Sequence, residues 1–157
     1  MPVPAIGERA PDFTLRGTEG QVRLADLLTD GPVLLLFYTE DLTPACTQQL
    51  CAFRDESATL AQLAARVVAI SADSLDAHRA FIERLGGLPY PLLADPDLAV
   101  ARRYGVDDPD SRRARRAAFV IGRDGAVRHA VVPYQPSNAQ QFLGVFEALG
   151  LGSGAGP

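Results

Sequence analysis

The sequence predicts an α/β domain in which a mixed central sheet is covered by helices, and two patterns lead to this prediction. Two short apolar runs, 33–38 and 67–71, are typical of strands that are buried on both faces. A segment with helical periodicity follows each run, and the chain then continues into a hairpin and a final helix. Strands linked by a helix pair in parallel and the strands of a hairpin pair antiparallel, so the expected sheet contains both kinds of pairing.

Local signals predict the remaining elements in chain order. Gly17 and Gly20 mark a turn between two short strands, which predicts an N-terminal hairpin, and a short helix follows it. The helix after the first buried strand is expected to continue from Pro44 to about Arg66. The other expected elements are a helix from Asp73 or Ser74 to Leu85, a brief strand over 92–94, a helix around 97–104, a hairpin over 117–132 and a helix over 138–149.

Length and composition indicate one globular domain. We expect it over residues 1–149 of the 157-residue chain, followed by a disordered small-residue tail at 150–157. A net charge of −4 gives no reason to expect nucleic acid or an anionic membrane as a partner. No secretory signal and no apolar run of membrane-spanning length is visible. Two cysteines in a domain without a disulfide framework fit a reducing compartment, which predicts a cytoplasmic protein.

Both cysteines, Cys46 and Cys51, lie where the first apolar strand gives way to a helical pattern. Thr43 is a good N-cap residue and Pro44 suits the first turn, which places Cys46 at the third helical position. There the unpaired amides and the positive end of the helix dipole favour an anion. This position favours the thiolate, which is the nucleophilic form of cysteine.

The spacing of the two cysteines restricts how they can interact. Residues five apart in an ideal helix have Cα atoms roughly 8.6 Å apart, whereas a disulfide needs less than about 7 Å. Cys46 and Cys51 can therefore bond only if the first turns of the helix unwind, which suits a catalytic cycle better than a permanent bridge. Two unrelated buried cysteines remain the alternative at this stage. Thr43 likewise has two possible roles, a helix cap or a hydroxyl that orients the thiolate and its substrate.

The motif Thr43-Pro44-Ala45-Cys46, with Cys51 and then Phe53-Arg54-Asp55, resembles the active site of the peroxiredoxins. More narrowly, it resembles the bacterioferritin comigratory protein, or Q-type, branch of that family. Further segments resemble the family in the same order, at 7–15, 68–73, 92–97, 104–106 and 116–121. The resemblance implies a thioredoxin-like fold, with Cys46 at the carboxyl end of a central strand.

The resemblance also implies roles for individual residues. Cys46 would be the peroxidatic cysteine and Cys51 the resolving cysteine, with Thr43 and Arg116 as further catalytic residues. The substrate pocket would be formed by Thr39, Pro44, Ala45 and Gln49. Two of these depart from the family pattern, since Thr39 stands in place of the usual proline and Ala45 in place of glycine.

Four arginines cluster before the strand expected at 117–121. Arg116 is preferred over Arg115 because a strand alternates its faces and the resemblance sets the register. Arg112 and Arg113 are expected to be solvated surface residues.

These residues predict a peroxidase that reduces hydrogen peroxide and organic hydroperoxides. Cys46 would become a sulfenic acid and form an intramolecular disulfide with Cys51, which an external dithiol must reduce. The resemblance implies that this dithiol is thioredoxin or a similar protein. No metal, flavin or haem is expected, and the position of Cys51 fits a monomer.

Two other classes of protein remain open at this stage. A thiol–disulfide oxidoreductase usually has a C-x-x-C motif and a proline in the facing strand, whereas this chain has C-x4-C and Arg116-Ala117-Ala118. A non-catalytic binding or sensing domain is favoured only by Thr39. No role is expected for His78 or His129, which lie in a predicted helix and a predicted strand.

Overall fold

The computed structural model describes residues 2–151, which form nine strands and six helices. The strands are β1 Thr14–Gly17, β2 Gly20–Arg23, β3 Val33–Phe37, β4 Arg66–Ser71, β5 Leu92–Ala94, β6 Asp107–Asp108, β7 Arg113–Ala114, β8 Ala117–Ile121 and β9 Val127–Val131. The helices are α1 Leu24–Leu27, α2 Pro44–Arg54, α3 Ser57–Gln62, α4 Leu75–Arg84, α5 Ala99–Arg103 and α6 Ala139–Leu149.

Seven of the strands form one sheet in the order β2-β1-β5-β4-β3-β8-β9, and β6 and β7 pair separately. The central strands β3, β4 and β5 are parallel, whereas β8 is antiparallel to β3 and β9 is antiparallel to β8. The predicted mixed sheet is therefore confirmed. In the β3–β8 register Phe37 pairs with Ala117, which brings the end of β3 beside the beginning of β8.

The sheet separates two hydrophobic cores, and β3 contributes to both of them. Leu35 and Phe37 belong to the core that also contains Tyr104, and Leu34 and Leu36 belong to the core beneath α2, α4 and α6. Every residue of β3 is fully buried, because helices cover both faces of a parallel strand that lies in the middle of its sheet. Buried side chains therefore fix the position of the loop that leaves this strand.

Most of the predicted elements are confirmed, but the single long helix after β3 is wrong. The chain breaks at Asp55 and Glu56 into α2 and α3, and Glu56 N donates to Phe53 O in a tighter turn. An unbroken helix over 44–66 would be roughly 34 Å long. The five residues of β3 span only about 17 Å. A single straight helix would extend beyond the sheet, so the chain turns between two shorter helices before it reaches β4.

The small β6–β7 sheet was not predicted, because two-residue strands give too few positions for a periodic pattern. At the other end of the chain, Gly150 closes α6 in the left-handed region, with φ +113°. The tail that the sequence predicts to be disordered lies, from residue 152 onward, outside the described residues. Within 2–151, every helix is too short or too polar to cross a membrane.

Candidate active site

Cys46 lies in the first turn of α2, directly after the loop that leaves β3. Thr43 has extended backbone angles, φ −81° and ψ 146°, and Pro44 is the first helical residue. Cys46 is therefore the third helical residue, as predicted, and only 1% of its surface is exposed. The amide groups of a first helical turn have no partner within the helix, so they can stabilise an anion at this position.

Thr43 stands at the N-cap position, but its side chain does not cap the helix. Its hydroxyl donates instead to the carbonyl of Glu40, at 2.8 Å. The N-cap position predicted for Thr43 is therefore confirmed, but the side-chain cap is not, because the hydroxyl is turned towards the preceding loop. While its hydrogen is engaged in this bond, the oxygen of Thr43 can still accept hydrogen bonds through its lone pairs.

Cys51 is half-buried in the same unbroken helix, and both thiols are free. The two cysteines are five positions apart in the helix, so the Cα separation of roughly 8.6 Å expected for an ideal helix applies to this conformation. The two sulfur atoms cannot bond in it.

Arg116 directly precedes β8 and is half-buried, whereas Arg115 is exposed. The pairing of Phe37 with Ala117 places Arg116 at the sheet edge where β3 leads into the Cys46 loop. Arg116 Nε donates to the carbonyl of Tyr134 at 3.3 Å, and the Tyr134 amide donates back to the Arg116 carbonyl at 2.8 Å.

Tyr134 joins this arginine to the cysteine helix. Its ring lies 6.0 Å from the ring of Phe53 in α2, measured between centroids, and it shares a hydrophobic core with Cys46. Two hydrogen bonds to Tyr134 and the contact of its ring with Phe53 therefore link Arg116 to α2.

Arg113 is not the solvated surface residue that the sequence predicts. Its guanidinium reaches Asp73 Oδ1 at 3.0 Å and Glu40 Oε1 at 3.3 Å. The reason is the β6–β7 pairing of Asp108 with Arg113, which folds this segment back towards the Cys46 loop. Arg112 is exposed, as expected.

Asp73 anchors the same loop through its other carboxylate oxygen. Its Oδ2 accepts from the backbone amide of Asp41 at 2.9 Å and from the hydroxyl of Ser71 at 2.7 Å. Together with the Arg113–Glu40 ion pair, these bonds hold two successive residues of the loop that carries Thr43.

A buried cluster of Tyr38, Asp41 and His78 lies beneath this loop, and sequence reasoning missed it. The Tyr38 hydroxyl donates to Asp41 Oδ1 at 2.5 Å, and His78 Nδ1 lies 2.8 Å from Asp41 Oδ2. His78 Nε2 lies 3.0 Å from the carbonyl of Leu93. His78 is fully buried and Asp41 is 8% exposed. No local motif marks the cluster, because His78 is 37 residues from Asp41 in the chain.

The protons of this cluster follow from its geometry. A carbonyl only accepts, so Nε2 of His78 carries a proton towards Leu93. Another proton must lie between Nδ1 and Asp41 Oδ2, since two acceptors would repel each other at 2.8 Å. Burial, and then the negative charge of Asp41, raise the pKa of Tyr38 well above its usual range, so its hydroxyl remains a donor.

The predicted pocket residues differ in exposure. Pro44 is exposed, and Thr39 and Ala45 are half-exposed. Gln49 is fully buried, and its amide group donates to the carbonyl of Phe37 at 3.3 Å. Its Oε1 has no hydrogen-bond partner among residues 2–151.

Groups of acidic, histidine and cysteine residues that could hold a metal ion are absent from the described part of the chain. His129 lies in β9, where the ring faces Gly144 of α6. A β-carbon added at Gly144 would meet the ring at 3.6 Å, so the imidazole packs closely on this helix.

Comparison with known proteins places the chain in a family. The sequence profile of the AhpC/TSA family matches residues 6–130. A bcp-type peroxiredoxin of Coxiella burnetii is 37% identical over 128 residues, which cover 78% of this chain and 84% of that protein. The chloroplast peroxiredoxin Q of Sedum lineare is 37% identical over 123 residues, covering 78% of this chain and 66% of that longer protein.

A solved structure agrees with these relatives. The crystal structure of peroxidoxin BcpB from Mycobacterium tuberculosis matches with a TM-score of 0.84 at 32% identity, over 93% of this chain and 96% of that chain. The predicted thioredoxin-like fold is confirmed, and these relatives support thiol-dependent peroxidase activity. The chain therefore belongs to the AhpC/TSA family, with the peroxiredoxins of the bacterioferritin comigratory protein and Q type.

Proposed function

We propose that the chain reduces hydrogen peroxide and organic hydroperoxides through the thiolate of Cys46. The observation that carries this proposal is the position of Cys46 in the buried first turn of α2, at the carboxyl end of β3. Arg116 is held at the same edge of the sheet by the β3–β8 register. A guanidinium and a set of unpaired helical amides are the groups that stabilise a thiolate and a departing oxyanion.

In the first step the Cys46 thiolate attacks the terminal oxygen of the hydroperoxide. A sulfur–oxygen bond forms, the oxygen–oxygen bond breaks, and the departing oxygen takes up a proton to leave as water or an alcohol. The Thr43 oxygen, which has lone pairs to spare, accepts a hydrogen bond from the peroxide and orients it. Arg116 stabilises the charge that develops on the departing oxygen.

In the second step Cys51 acts as the resolving cysteine. Its thiol sulfur bonds to the sulfur of the Cys46 sulfenic acid, and the sulfenic hydroxyl leaves as water. Because both cysteines lie in the unbroken helix α2, its first turns must unwind before this bond can form. An intramolecular bond lets one chain complete the cycle, so we infer a functional monomer.

An external dithiol returns the disulfide to two thiols. Thioredoxin or a protein with similar dithiol chemistry is the partner that this step needs, and no metal or organic cofactor takes part. A reducing compartment such as the cytoplasm supplies that partner.

Thr39, in place of the family's proline, is the only residue that favours a non-catalytic domain. The loop it begins is nevertheless anchored by Asp73, by Arg113 and by the buried carboxylate of Asp41. These contacts supply the rigidity that a catalytic loop requires.

A stoichiometric experiment tests the proposed function. Fully reduced protein is mixed with one equivalent of hydrogen peroxide and quenched at short times, and the free thiols and the protein mass are then measured. We expect both thiols to disappear within seconds, with a mass loss of two hydrogens. Thiols that persist for minutes would contradict the proposal.

Two variants assign the steps. Cys46→Ser should consume no peroxide. Cys51→Ser should complete one turnover and accumulate a sulfenic acid that a selective reagent traps. Multiple turnovers by Cys46→Ser would exclude Cys46 as the nucleophile.

A further inference from the structure

A tyrosine from another part of the chain holds the cysteine helix next to Cys51. Tyr90 lies between α4 and β5 and is only 4% exposed. Its hydroxyl donates to the carbonyl of Leu50 at 2.7 Å, and Leu50 directly precedes Cys51. Pro89 and Pro91 flank the tyrosine and restrict its backbone, so the hydroxyl is presented from a stiff segment.

A second contact links the same two parts of the molecule. Arg54, in the last turn of α2, donates from Nη1 to the carbonyl of Leu85 at 3.1 Å. The Cys51 end of α2 is thus tied to the segment over 85–91 at two points. The first turn of α2 itself lacks two common stabilising features, since the Thr43 side chain does not cap it and it has no acidic residue.

The Tyr90 bond lies where the helix has to open. The peptide groups between Cys46 and Cys51 must leave their helical conformation before the two sulfur atoms can meet, and the Leu50–Cys51 peptide is one of them. A hydrogen bond to its carbonyl stabilises the closed helix and opposes this change.

We propose that Tyr90 is a positioning residue that limits the rate at which Cys51 resolves the sulfenic acid of Cys46. This proposal rests on the proposed function. While α2 is closed, a second peroxide can add an oxygen to the sulfenic sulfur, which gives sulfinic acid and releases water or an alcohol. When α2 opens, the sulfur of Cys51 bonds to that of Cys46 and the sulfenic hydroxyl leaves as water. Tyr90 therefore sets the balance between overoxidation and disulfide formation.

The hydroxyl of Tyr90 stays protonated at working pH. Burial, and then negative charge on Cys51, raise the pKa of Tyr90 far above its usual range. The hydrogen bond to Leu50 is thus present throughout the catalytic cycle whenever the helix is closed.

Replacing Tyr90 by phenylalanine tests the proposal, with Tyr104→Phe as a matched control. Both tyrosines are buried and donate to a backbone carbonyl, and Tyr104 reaches Pro11 at 2.6 Å in the opposite core. Reduced protein is mixed rapidly with hydrogen peroxide and quenched, and sulfenic acid, disulfide and sulfinic acid are separated by mass. Loss of one net hydrogen bond should raise the disulfide rate about three- to tenfold in Tyr90→Phe.

Two further readouts exclude a general loss of structure. The rate of sulfenic acid formation should be unchanged in Tyr90→Phe, and the peroxide concentration that overoxidises half of the protein should rise by the same factor as the disulfide rate. Tyr104→Phe should match the wild type in all three quantities. An unchanged or slower disulfide rate in Tyr90→Phe would overturn the proposal.

Hydrogen exchange separates this proposal from the proposed function, because it needs no peroxide. In the reduced protein the amides over 47–51 should exchange faster in Tyr90→Phe than in Tyr104→Phe, and equal rates would overturn the role of Tyr90. If the wild-type protein consumed no peroxide, the proposed function would be contradicted, whereas the exchange rates would still report whether Tyr90 holds the helix closed. If circular dichroism shows that Tyr90→Phe is unfolded, Arg54→Gln replaces it in the same measurements. This variant removes the bond to Leu85 and should also raise the disulfide rate, by a smaller factor, and an unchanged rate would overturn the proposal.

Discussion

His78 Nδ1 lies 2.8 Å from Asp41 Oδ2, and both side chains are buried beneath the loop that leads to Cys46. The imidazole is fixed at its other nitrogen by the carbonyl of Leu93, in the strand β5. The loop that leads to Cys46 is therefore tied to strand β5 by polar contacts between residues that are distant in the chain.

Removing this buried contact should destabilise the protein. Asp41→Asn leaves the amide to face both the Tyr38 hydroxyl and His78, so at least one buried polar group loses its partner. We expect the free energy of unfolding to fall by about 3 kcal/mol, measured by urea denaturation.

Asp76→Asn is the matched control for this change. Asp76 has a basic partner, Arg79, at 3.5 Å, but 97% of its side chain is exposed. Its replacement should change stability by less than about 0.5 kcal/mol. Similar effects from the two variants would show that the buried pair contributes no special stability. The peroxide rate should also fall in Asp41→Asn alone, because Thr43 lies two residues further along the same loop.

Arg116 and Arg115 should differ in their effect on peroxide reduction. Arg116→Ala removes the half-buried guanidinium at the sheet edge where β3 leads to Cys46. It should lower the second-order rate constant for the reaction of the protein with peroxide about 100-fold. Arg115→Ala removes an exposed side chain and should leave this constant unchanged. The rate constant is measured by competition with a reference peroxidase. Equal losses would show that the register does not direct Arg116 to the peroxide.

Leu42 holds a strained backbone conformation beside the active site. Its φ is +67°, in the left-handed region that branched side chains rarely adopt, and 54% of the residue is exposed. Leu42→Asn should raise the free energy of unfolding by about 0.5–1 kcal/mol, since asparagine tolerates this conformation. Leu143→Asn is the control, because Leu143 is 51% exposed in the regular helix α6. The control should be neutral or slightly destabilising in the same denaturation experiment.

The four tyrosines predict how stability changes at alkaline pH. Burial raises the pKa of Tyr134 to about 12, and it raises those of Tyr90 and Tyr104 further. The pKa of Tyr38 is also raised well above its usual range, by burial first. In the unfolded chain these groups lose their protons near pH 10. Their contribution to stability is complete below about pH 10 and is lost as the pH rises towards 12 and beyond.

Tyrosinate absorbance and circular dichroism should therefore change together in an alkaline titration. Tyr104→Phe should shift the unfolding midpoint to higher pH, because it removes one group whose loss of a proton at alkaline pH favours the unfolded state. Tyrosinate absorbance that develops near pH 10 in folded protein would contradict this expectation.

Local pattern was sufficient to predict most of the fold. The buried strands β3 and β4, the N-terminal hairpin, the β8–β9 hairpin and the start of α2 at Pro44 all depend on neighbours within a few residues. Cys46 could be placed in the first helical turn for the same reason. Alternation along a strand indicated that only one of Arg115 and Arg116 can face the site, and the resemblance to the family selected Arg116.

The sequence by itself thus determined most of the elements and the position of Cys46, which follow from short-range spacing, and its motifs carried the resemblance to the family. Only the tertiary structure decided where the long helix breaks, that Arg113 reaches Glu40 and Asp73, and that Thr43 bonds to the loop and not to its helix. The partners of Asp41 and Leu50, which are His78 and Tyr90, are 37 and 40 residues away in the chain. Such contacts depend on how the helices lie against the sheet, and no local pattern specifies which distant polar groups that packing brings together.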